Sequence, residues 1–170
     1  MGTWNDTDEP LAYLITFRTY GTWLAGDERG SIDKFHNKYG GPHAIHSEAR
    51  SSIHQTRLKS EPFLLSANSR RAIEQAFREV CEYRNWVLIA LNIRTNHVHL
   101  VIAATAPSGK MLNDLKSYAT RKLREIGEWE HSHSPWVDKG SRRNLWNQSH
   151  IDRAAEYVVN GQGGPLPDFD

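Results

Sequence analysis

Two apolar segments, Trp86 to Arg94 (WVLIALNIR) and His97 to Ala104 (HVHLVIAA), are separated by only Thr95 and Asn96. Both segments are rich in β-branched residues and read as strands. A two-residue connection forces consecutive strands to fold back antiparallel, so the centre of this chain is a β-hairpin. The flanks have a different period. Ser69 to Arg84 carries Ile73, Ala76, Phe77, Val80 and Cys81 at helical spacing. Lys110 to Gly127 does the same with Leu112, Leu115, Ala119, Leu123 and Ile126. Ala12 to Tyr20 (AYLITFRTY) reads as a strand, Arg143 to Trp146 as a short strand, and Ile151 to Asn160 as a last helix ended by Gly161.

The first six elements therefore run βαββαβ, the order of the ferredoxin-like α+β fold, an antiparallel sheet with helices on one face. The last helix is an addition to that pattern. With 170 residues the expectation is one domain. Residues 1–10 form a polar arm, 21–66 a long inserted segment and 163–170 a tail. An insertion of that length is usually functional or carries short elements of its own. Hydrophobic residues make up 38% and charged residues 24%, which is an ordinary globular composition. No stretch has the roughly 18 apolar residues of a membrane span. Residues 1–10 carry Asp6, Asp8 and Glu9 and no Lys or Arg, unlike a signal peptide. Cys81 is the only cysteine, which fits a reducing cytoplasm. Ser108-Gly109-Lys110-Met111 lacks the earlier glycine and the following Ser/Thr of a phosphate-binding loop, so no nucleotide cofactor is expected.

Chemistry concentrates at two places. Successive strand residues alternate faces, so His97 and His99 share one side, while Val98, Leu100 and Ile102 point toward the helices. Imidazoles about 7 Å apart along a strand can converge on one metal ion. An isolated His-x-His pair is more often two surface histidines on an open sheet face, so the pair alone is weak evidence. In the last helix, Ile151, Ala154, Ala155 and Val158 form an apolar stripe, and Tyr157 lies about 120° round the helix from Ile151. Its neighbours on that face are Arg153 and Asn160. Tyr157 is thus a candidate for presented chemistry, against the alternative of packing. Tyr118 lies beside Leu115 and Ala119 and reads as edge-of-core.

Taken together, Asn96-His97-Val98-His99-Leu100, the later run Tyr157-Val158-Val159-Asn160-Gly161-Gln162-Gly163, the opening Thr16 to Leu24, Gly26 to Ser31, and Arg143-Asn144-Leu145-Trp146 resemble the single-tyrosine HUH transposases of small bacterial insertion sequences. The resemblance runs from about residue 12 to 165 and is strongest to the REP-associated subgroup. It implies metal-dependent cutting and rejoining of single-stranded, hairpin-containing DNA through a 5′-phosphotyrosine. Tyr157 would be the nucleophile, and His97 and His99 would be ligands of Mg²⁺ or Mn²⁺. In many members a Gln or Asn four positions beyond the tyrosine completes the metal site. Here that position is Gly161, so the third ligand falls to Gln162, with Asn160 as the alternative. Both homodimers and monomers occur in the superfamily.

Lys116, Arg121, Lys122 and Arg124 form a basic run without an intervening acid, followed by Arg142 and Arg143. They are candidate contacts to DNA phosphates, though a Lys/Arg excess is also what a solvated helix face looks like. Trp23, Trp136 and Trp146 are candidates for base stacking or for core. His131-Ser132-His133, His43 and His46 read as incidental. Three rivals stand: a non-catalytic DNA-binding descendant, an RNA-binding module of the same element order, and a metal hydrolase using water. The RNA reading would need aromatics where the third strand presents His97, His99 and Val101.

Overall fold

In the computed structural model, which describes residues 9–22 and 58–167, the elements are β1 (Ala12–Arg18), α1 (Ala67–Arg84), β2 (Val87–Ile93), β3 (His97–Ala103), α2 (Ser108–Glu125), β4 (Ser141–Leu145) and α3 (Gln148–Asn160). Trp23, His43, His46 and most of the 21–66 insertion fall outside the described residues. The sheet order is β2-β3-β1-β4 with every pairing antiparallel, the topology expected of the βαββαβ order.

Arg94 N–H donates to the His97 carbonyl at 2.8 Å and closes the hairpin around Thr95 and Asn96. Neither residue takes a positive φ, so the turn is not one of the left-handed pair favoured by Asn-Gly. It is held from the side instead. The Asn96 carbonyl accepts from Thr19 N–H at 3.0 Å and from the hydroxyls of Thr19 and Thr22 at 3.2 and 3.3 Å. The start of β3 is thereby tied to the end of β1.

Alternation divides the sheet into two faces. Ile15, Phe17, Val98, Leu100 and Ile102 are buried with α1 and α2 in the main core. Ala12, Leu14, Ala90, Val101 and Leu145 are buried on the other face against Ile151, Ala154 and Val158 of α3. The sheet is therefore covered on both sides: α3 lies on the face that carries His97 and His99, so helices are not confined to one face. Helix α1 starts at the Ser66 cap, whose Oγ accepts from Ser69 N–H at 3.0 Å. Its first turn carries no acid, but Glu128 reaches it from beyond α2. The hydroxyls of Ser66 and Ser69 donate to one carboxylate oxygen at 3.3 and 3.1 Å, and the Asn68 amide donates to the other at 3.2 Å. A carboxylate there complements the positive end of the helix dipole.

Some details depart from the sequence pattern. Ile126 lies just past α2 and is 36% exposed, because the chain turns away at Gly127, whose φ is +75°. Val87 and Ile89 are exposed because β2 is an edge strand whose register shifts between Leu88 and Ala90. Trp136 is core: its ring meets Phe17 edge-on at 4.9 Å, and its Nε1 donates to Thr120 Oγ1 at 3.1 Å. Trp146 is 40% exposed. No helix among the described residues is long and apolar enough to cross a membrane.

Candidate active site

Antiparallel pairing with β1 places Thr16 opposite His99 and Arg18 opposite His97. These four residues share the α3 face at the end of the sheet where the hairpin turns. The two imidazoles lie with ring centroids 4.8 Å apart. Each has its Nδ1 engaged. Thr16 Oγ1 is 2.7 Å from His99 Nδ1, and Asn96 Oδ1 is 2.6 Å from His97 Nδ1. When Nδ1 carries the proton, Nε2 is left as the lone-pair donor, the form that binds metals.

His99 is buried, and its pKa is lowered to about 3 by desolvation, by His97 and by Arg18, against an opposing hydrogen bond from Gln162. Its imidazole is neutral at neutral pH.

Helix α3 delivers the tyrosine. Burial of Ile151, Ala154 and Val158 against the sheet turns Tyr157 off the apolar stripe and leaves it 44% exposed. Its ring meets His99 edge-on with centroids 5.4 Å apart. The turn after the helix then folds back on it. Gly161 N–H and Gln162 Nε2 both donate to the Tyr157 carbonyl, at 2.9 and 3.1 Å. That bond fixes the Gln162 amide so that Oε1 faces His97 Nε2 at 3.3 Å. Adjacent ligands of an octahedral ion with bonds near 2.1 Å stand about 3 Å apart, so this pair has the spacing of two ligands of one cation. Gly161 makes the turn possible through space, not through backbone freedom. Its φ is −89°, but a Cβ there would lie 2.6 Å from the Tyr157 carbonyl oxygen and 3.0 Å from the ring. The amide of Asn160 points elsewhere and donates to Glu156 at 2.8 Å.

Among the described residues no group of three or more His, Cys, Asp or Glu comes together as a metal cluster. The donor set at this site is two imidazoles and an amide oxygen. Such a set suits a divalent ion that keeps open positions for water and phosphate, and it suits Mn²⁺ better than Mg²⁺, which prefers oxygen.

The structure places the helical basic run away from this site. Lys116, Arg121, Lys122 and Arg124 stand on α2, across the sheet from His99. Lys116 donates to the carbonyls of Val137 and Lys139 and lies over the Phe17 ring, and burial lowers its pKa to about 8. Arg124 holds the carbonyls of His131 and Ser132, Arg121 stacks on Tyr118, and Lys122 lies 3.5 Å from Glu125. On β4, Arg142 projects against Gly109 on the α2 side. Arg143, paired with Leu14 and two residues from Leu145, lies on the α3 face that also carries the histidines. His131 and His133 stack on each other and pack with Trp129, away from the His97–His99 pair. Tyr118 is partly buried at the edge of the main core.

The sequence pattern assigned no role at the site to Thr16, Arg18 or the side chain of Asn96. Alternation with buried Ile15 and Phe17 would place Thr16 and Arg18 on the outer face. Only the pairing of β1 with β3 makes that face the histidines' face.

A family model described as IS200-like transposase matches residues 53–159. No curated protein matches the chain. A crystal structure of a candidate transposase from Deinococcus radiodurans aligns over 97% of this chain and 100% of its own, with 13% identity and a TM-score of 0.48.

Proposed function

The chain belongs to the IS200-like transposase family, and from that premise we propose that it nicks and rejoins single-stranded DNA through a covalent bond between Tyr157 and a 5′-phosphate. One observation carries this reading. A partly exposed tyrosine, two imidazoles and an amide oxygen converge within one chain, and Gln162 bonds the backbone of Tyr157 while facing His97.

In this reading His97, His99 and Gln162 hold a divalent ion, Mg²⁺ or Mn²⁺. Such an ion would polarise a non-bridging phosphate oxygen and offset the charge that builds at phosphorus. Thr16 and Asn96 keep the two imidazoles in the tautomer that presents Nε2. Tyr157 Oη attacks phosphorus, the Oη–P bond forms and the P–O3′ bond breaks. The phenol proton passes to solvent, and the departing 3′ oxygen takes one up. A second 3′-hydroxyl then reverses the exchange, forming a new P–O3′ bond and restoring the phenol. Each step trades one phosphoester for another, so no nucleotide is consumed.

Covalent trapping tests the reading. Labelled single-stranded DNA carrying hairpins is incubated with the protein and Mn²⁺ or Mg²⁺, and SDS-resistant adducts are resolved on a gel. The expected result is an adduct in wild type and Tyr118→Phe, none in Tyr157→Phe, and none after EDTA. Metal-dependent cleavage without an adduct would replace the tyrosine with water as nucleophile. An adduct that survives in Tyr157→Phe would move the nucleophile elsewhere.

A further inference from the structure

A groove of about 470 Å³ runs along the free edge of β2. One wall is α1, which contributes Arg70, Arg71, Glu74 and Arg78; Arg94 stands at the hairpin end; the other wall is the end of α3 at Asn160 with residues 163–166. Four guanidinium groups face one carboxylate, and that carboxylate, Glu74, is paired with Arg78 at 2.8 Å. Arg94 donates to the Gly164 carbonyl at 2.9 Å, and Arg70 donates to the carbonyls of Leu65 and Pro167. Bonds to carbonyls leave the guanidinium charge intact, and each group keeps further N–H donors.

The location of this charge matters as much as its amount. Arg94 lies in the turn that leads into His97, and residues 163–166 follow directly on Gln162. The groove therefore opens beside the catalytic face. The basic run of α2 lies across the sheet from it.

We propose that this groove binds the sugar–phosphate backbone of the single strand flanking the bond that Tyr157 cuts. The inference rests on the strand-transfer reading above and adds to it the surface that holds the substrate. Arginine suits the task because its planar fork matches phosphate oxygens two at a time. The competing explanation is that the arginines guard an exposed sheet edge against pairing with another chain.

The test is fluorescence anisotropy with a labelled single-stranded hairpin oligonucleotide across a range of NaCl concentrations. Arg71→Gln with Arg78→Gln removes two exposed charges of α1. The slope of log K against log salt should become shallower by about 1.4, and binding roughly tenfold weaker at physiological salt. Glu74→Gln should tighten binding. Arg121→Gln with Lys122→Gln, on α2, reads the rival placement of the strand: a larger loss of slope and affinity there than in the α1 pair overturns the groove assignment. An unchanged slope in the α1 pair overturns the inference, and self-association of that pair with wild-type DNA affinity assigns the arginines to edge protection. If the wild type forms the covalent adduct yet the α1 pair binds normally, only the groove assignment falls. If the wild type neither binds nor forms an adduct, the inference falls together with the reading it rests on.

Discussion

Replacing Gly161 with alanine tests how the site is assembled, with a single methyl group. The backbone of Gly161, at φ −89°, is open to alanine, so the perturbation is one of space. The new Cβ would stand 2.6 Å from the Tyr157 carbonyl oxygen. That oxygen belongs to the last turn of α3 and cannot retreat without carrying the helix end with it. Relief comes from opening the turn, which costs the 2.9 Å bond from Gly161 N–H and the 3.1 Å bond from Gln162 Nε2. At about 1 kcal/mol net for each, the turn that aims Gln162 at His97 is weakened by roughly 2 kcal/mol. At about 1.4 kcal/mol per factor of ten, its population falls roughly thirtyfold. The expected outcome is Mn²⁺ affinity, read by paramagnetic resonance of the free ion, weakened by about that factor. Adduct formation at sub-saturating Mn²⁺ should slow in step, while the melting temperature moves little, because the opened turn lies at an exposed helix end. Gln162→Ala should reproduce the metal defect without the steric one. Wild-type Mn²⁺ affinity in both variants would refute the argument that this turn supplies a ligand.

Other perturbations reach different parts of the molecule. Thr16→Val removes the partner of His99 Nδ1 while keeping the shape, and should weaken Mn²⁺ binding by about 10–100-fold. Thr16→Ser should restore most of it, and equal losses in both variants would point to packing instead. Ser66→Ala deletes the cap of α1 and one donor to Glu128, and should cost about 1 kcal/mol in urea unfolding; no loss would mean the cap is replaced by solvent. Cys81 is buried and its thiol is pushed up to about 11, chiefly by desolvation. It should resist a thiol reagent at pH 8 until the chain unfolds, and rapid native labelling would contradict its place in the core.

Much of the architecture is already written in the chain, because it depends on local backbone geometry. A period of two along His97–Ala103 separated the buried Val98, Leu100 and Ile102 from the histidines, and Arg94 N–H closes the hairpin around Thr95 and Asn96 where the two flanking strand patterns placed it. A period of 3.6 in the last helix turned Ile151, Ala154 and Val158 inward and left Tyr157 outside the stripe. Other features were decided only in three dimensions, because they depend on which distant segments meet. Nothing local says that β1 pairs with β3 in the register that sets Thr16 against His99, or that α3 covers the histidine face instead of joining α1 and α2. Nor does the Lys116–Arg124 charge run reveal that its helix lies across the sheet from His99, while arginines scattered through Arg70, Arg71, Arg78 and Arg94 gather at the edge of β2. Periodicity assigns a residue to a face of its own element. Which neighbour that face meets is set by long-range packing, and here that packing brings Tyr157, His97, His99 and Gln162 together.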